Sequence, residues 1–182
     1  MMTKTRPFVV AVIALAAISF ARPALAGAPL ICFPFDIHGA RSLPFGTNGF
    51  HDVDRSYDVS KLVDDTLALL VPETPVIVRM ETMRRATLYA ESKPAVAAAL
   101  LARLEDRART ATPAAAALAD FDLGYLIETY RQASATLRNL PVVAGHDGYQ
   151  LVLKASALRP DPQIAYAAGL IDHSVAPRAA GR

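Results

Sequence analysis

From Asp58 onward the chain writes helix starts again and again, and no other feature limits its fold as tightly. Pro72-Glu73-Thr74-Pro75, Thr112-Pro113 and Asp161-Pro162 place prolines where a first helical turn accepts them. A proline there has no amide hydrogen to leave unsatisfied, and its φ is already helical. Asp58, Ser92 and Asp147 are side chains able to accept hydrogen bonds from the free amides at a helix N-terminus. Between these signals the residues are rich in Ala, Leu, Arg and Glu, all good helix formers, and apolar positions recur three and four apart. No segment beyond residue 58 alternates apolar and polar as a half-buried strand does. The pattern predicts an all-α fold of six helices, arranged as a bundle or a short α-solenoid.

The first helix is expected from Asp58 to Pro72, with Val59, Leu62, Val63, Thr66, Leu67 and Leu70 on one stripe. The second runs from the 72–75 segment to about Glu91, and the third is capped by Ser92 and buries Val96, Leu100, Leu101 and Leu104. A long fourth helix opens at Thr112-Pro113 and reaches about Leu137, with Gly124 marking a bend or a close helix contact. After a loop over 139–148, two shorter helices are expected, from Asp147 to about Leu158 and from Asp161-Pro162 to near Asp172.

The first 26 residues carry a different message. Lys4 and Arg6 precede a 14-residue apolar stretch, Phe8 to Ala21, and Ala24-Leu25-Ala26 supplies the small-x-small pattern of a cleavable export signal. A membrane-spanning helix needs about 20 apolar residues, so the stretch is too short for an anchor. Cys32 lacks the small preceding residue of a lipobox. The chain therefore divides into a signal over 1–26, an irregular Gly/Pro/aromatic-rich segment over 27–57, a helical domain over 58–173 and a frayed tail over 174–182. The mature protein is expected in the periplasm or outside the cell, with no membrane span.

Signal removal takes Lys4, Arg6 and Arg22 and no acid, so 19 basic side chains become 16 against 17 acidic ones, a net charge of about −1. That balance gives nucleic acid no electrostatic handle. Cys32 is the one cysteine, which excludes an intrachain disulfide and leaves either a buried thiol or pairing between chains.

Chemistry concentrates in the irregular segment. Asp36, His38, His51 and Asp52 are competent ligands for a divalent metal, which needs three or four such groups converging. The alternative is that they make turns and cap backbone amides, as loop Asp and His commonly do. No serine lies in a nucleophile elbow, no glycine-rich phosphate loop is present, and no cofactor is predicted.

Two seven-residue stretches read alike: Glu81-Thr82-Met83-Arg84-Arg85-Ala86-Thr87 and, 47 residues on, Glu128-Thr129-Tyr130-Arg131-Gln132-Ala133-Ser134. One reading makes them solvated i,i+3 ion pairs on similar helices. The other makes them a duplicated unit whose Arg84 and Arg131, with Tyr130, line a groove between the second and fourth helices. Further on, Gly148, Val152, Ala155 and Pro160, followed by Asp161-Pro162 and Tyr166-Ala167-Ala168-Gly169, stand at the intervals of a repeat hairpin. Over about residues 148–170 the chain resembles the junction between successive tetratricopeptide repeats. The resemblance implies a helical hairpin that binds peptides or partner proteins through a concave face. The expectation is an exported binding or scaffold protein with a protein or peptide partner in the cell envelope. The alternative is an exported metal-dependent or hydrolytic enzyme using the His/Asp cluster.

Overall fold

The computed structural model describes residues 30–32, 34–134, 143 and 145–174. The predicted export signal, the tail beyond Ser174 and half of the 139–148 loop lie outside the described residues. Six α-helices form, and there is no strand among the described residues. They are α1 (Leu62–Leu69), α2 (Val76–Ala90), α3 (Pro94–Thr110), α4 (Pro113–Ser134), α5 (Gly148–Leu158) and α6 (Pro162–Ser174). No helix among the described residues is long and apolar enough to cross a membrane.

The helix starts follow the sequence signals closely. The Asp58 carboxylate accepts from the Ser60 amide at 3.0 Å, but it caps a 3-10 turn, Val59–Lys61, that leads into α1. Helix α1 then stops at Leu69, before Pro72. Thr112 opens α4 through its carbonyl, which accepts from Ala115 and Ala116, both at 2.9 Å. Asp147 and Asp161 accept the amides of Gln150 and Gln163 at 3.1 and 2.8 Å. One cap differs: Lys93 and not Ser92 holds the position before α3, and its side chain makes no capping bond. Pro94 at the first turn is enough to start that helix.

Helices α2 and α4 form the centre. Every residue of α2 except Ile77 and Arg85 is buried, as is every residue of α4 from Ala117 to Tyr130. The other four helices pack around this pair, and α5 lies against α4 at very close range. Gly124 makes that approach possible, since a Cβ on it would meet the Gly148 carbonyl at 2.5 Å and Leu151 Cβ at 2.8 Å. The glycine thus serves a close helix contact.

The irregular segment before α1 is part of the core and not an appendage. Leu30 and Ile31 are buried in a 3-10 turn, Leu30–Cys32, that contacts both α2 and α4, and Leu43 is buried further along. From that turn the chain wraps over α2 as a strap to Tyr57, with Phe45 and Tyr57 packed against Tyr89.

Candidate binding site

The strap is held by charges that lie inside the protein. Glu81 accepts bidentate bonds from Arg84, 2.8 Å at both Nε and Nη2, a 2.7 Å bond from Arg85 Nε and a 3.1 Å bond from the Phe35 amide. The guanidinium groups spend their remaining donors on strap carbonyls. Arg84 Nη1 reaches Ile31 at 3.2 Å and Phe50 at 2.8 Å, and Arg85 Nη1 reaches Leu43 at 2.6 Å. The Phe45 ring lies over both, 4.8 and 5.3 Å from their central carbons. Burial pushes the Glu81 carboxyl upward, but the bonds and charge of Arg84, with Arg85 and the Phe35 amide, outweigh it and hold Glu81 below its ordinary value.

The second stretch performs a parallel task on α4. Glu128 is fully buried, pairs with Arg131 and accepts the Tyr149 amide at 2.9 Å, while Arg131 donates to the His146 carbonyl. Gln132 accepts the Leu30 amide at 2.6 Å and donates to Ser174 at 2.7 Å. Thr82 and Thr129 each bond the carbonyl four residues back, both at 2.7 Å. In both stretches, therefore, the Glu and Arg side chains grip the main chain of a neighbouring segment.

This arrangement corrects the groove expectation. Helices α2 and α4 contact each other, and the turn at Leu30–Cys32 packs against both. Arg84 and Tyr130 have no exposed surface, so neither can meet a partner in this conformation. Arg131 retains partial exposure, with its guanidinium already engaged by Glu128 and His146. The solvated ion-pair reading is corrected as well, because Glu81 and Glu128 are buried.

The four proposed metal ligands do not converge, and among the described residues no group of three His, Cys, Asp or Glu could hold a metal ion. Asp36 and His38 form an exposed turn: Asp36 accepts the His38 amide at 2.8 Å, and His38 takes a left-handed φ of 49°. The His51 ring sits edge-on to Phe50, with centroids 4.4 Å apart. Asp52 closes its own loop by accepting the Asn48 amide at 2.8 Å. Each performs turn or packing work. Cys32 is a half-buried free thiol; burial raises its pKa, while the Arg84 charge pulls the other way.

Other residues emerged only in three dimensions. Arg79 and Asp122 form a fully buried pair at 2.6 Å, with Arg107 at 3.9 Å. Arg79 also donates to the carbonyls of Val71 and Thr74, and Arg107 to that of Leu70, so the pair staples the α1–α2 turn. Burial pushes the Asp122 carboxyl up to about 6, against the pull of Arg79 and Arg107. The available signal was that Arg79, Asp120 and Asp122 stand in helical stretches apolar on nearly every face, where a charge can survive only with a partner.

Hollows surround Tyr57 at the end of the strap, the first of them between the strap and α1. A cavity of about 270 Å³ is lined by Arg41, Leu43, Tyr57, Asp65 and Leu69, among others. A second of about 390 Å³ lies between Tyr57, Asp58 and Lys93, and a third of about 210 Å³ between Tyr57, Asp54 and Leu88. Tyr57 borders all three, and its hydroxyl donates to Asp65 Oδ2 at 2.7 Å. Burial, with the Asp65 carboxylate, raises its pKa far above that of an ordinary tyrosine, so it remains a donor. Comparison of the chain with protein-family models, curated proteins and solved structures finds no match.

Proposed function

We propose that this chain is an exported α-helical binding protein that takes a peptide partner in the cell envelope at the concave face around Tyr57. One observation carries the reading: three cavities meet at a single tyrosine, on a strap that buried guanidinium groups hold in place. Binding sites are typically preformed hollows with a few polar groups on a mostly apolar lining, and rigidity of the walls limits the entropy lost on binding.

The test uses protein purified from the envelope fraction, whose amino-terminal residue should read Gly27. Immobilised mature protein should retain peptides from an envelope extract, and Tyr57→Ala should lose them while keeping its helicity. Equal retention by both proteins, or a cytoplasmic product still beginning at Met1, would refute the proposal.

A further inference from the structure

We propose that the cleft between the strap and α1 selects a short zwitterionic peptide, with Arg41 holding its carboxylate and Asp65 its ammonium. This inference rests on the binding function proposed above and names the ligand class of the same face.

Opposite charges line one cavity without neutralising each other. Arg41 is exposed on the strap and makes no hydrogen bond or ion pair to a described residue. Asp65 stands in the first turn of α1 and lines the same cavity, and no ion pair joins the two. A guanidinium and a carboxylate that share a cavity and remain apart leave room for a molecule carrying the complementary charges.

The walls are fixed from behind. Ser42 bonds Thr82 at 2.9 Å, and the carbonyls of Leu43 and Pro44 accept from Arg85 at 2.6 Å and Tyr89 at 2.5 Å. Arg41 therefore projects from backbone that cannot drift. On the opposite wall Tyr57 occupies Asp65 Oδ2, which orients the carboxylate and leaves Oδ1 without a donor among the described residues. An ammonium supplies such a donor, and a carboxylate supplies the two-oxygen acceptor that a guanidinium fork matches.

Size and lining restrict the ligand further. The cavity of about 270 Å³ opens to solvent and has room for a dipeptide-sized molecule. Pro44, Ala68 and Leu69 add apolar surface suited to small side chains.

Titration calorimetry with L-alanyl-L-alanine tests the assignment, alongside its N-acetyl and C-amide derivatives. Capping either end should weaken binding roughly 10- to 100-fold, the loss expected for one charge-assisted contact. Arg41→Gln should bind the free and C-amide forms equally, and Asp65→Asn should bind the free and N-acetyl forms equally. Ala68→Leu, which fills the cavity, should abolish binding. Capped and free forms that bind alike would overturn the inference. So would an absence of dialanine binding alongside Tyr57-dependent retention of longer peptides, which would leave the binding function standing. No binding of any peptide at this face would remove both.

Discussion

Asp122 and Glu81 are buried carboxylates facing guanidinium groups, yet their acidities move in opposite directions. Glu81 receives four donors, whereas Asp122 has one close donor, a second guanidinium at 3.9 Å and an Oδ1 with no hydrogen-bond partner. Donor number decides whether desolvation wins. Glu81, with its folded pKa lowered, contributes stability above its unfolded value of about 4.5, and this is lost as pH falls through the folded pKa. Asp122, raised from 3.8 to about 6, contributes stability that is present below 3.8 and lost as pH climbs through 6. Denaturant titrations over that window should show Asp122→Asn with a flatter pH profile than the parent. Relative to the parent, the variant should gain stability as pH rises across that window, because its amide, like the protonated acid, leaves no buried carboxylate to desolvate. An unchanged profile would show that Asp122 does not titrate there. In the sequence the apolar surroundings of Asp122 imply a partner without saying which one. Asp122 lies 43 positions from Arg79, so no local spacing connects them.

The helices themselves were legible because their starts are local. Thr112-Pro113 and Asp161-Pro162 act within three residues, and those helices begin where the signals stand. Ser92 was misread because a proline two positions later starts the helix without a side-chain cap. Distances between elements were not legible, and the glycines show why. Gly124 and Gly169 both lie inside helices, but a Cβ on Gly124 would meet α5 backbone at 2.5 Å, while one on Gly169 meets nothing within 4 Å. Gly124→Ala should therefore destabilise by about 1 to 3 kcal/mol despite the gain in helix propensity. Gly169→Ala should stabilise by up to about 1 kcal/mol. Thermal unfolding of the two variants checks both, and equal shifts would mean that α4 and α5 do not pack this closely.

For the whole molecule, the order of the chain and the order of the core disagree. Residues 27–57 read as an irregular extension because they have no periodicity, and their aromatics suggest that the segment packs down without saying against which helix. The cleft was hidden for the same reason, since Arg41 and Asp65 come to line one cavity only once the chain has folded. Leu30, buried among helices from later in the chain, should cost about 2 to 5 kcal/mol when replaced by Ala, measured as a lower urea midpoint. A loss near zero would return the strap to the status of an appendage. The Leu30 amide bonds Gln132, 102 positions away, so the earliest core residues are synthesised long before their partner. Contacts of such range form late and slowly. A nascent chain built this way has no complete N-terminal unit to close upon itself, which is the condition that the proposed export would place on it.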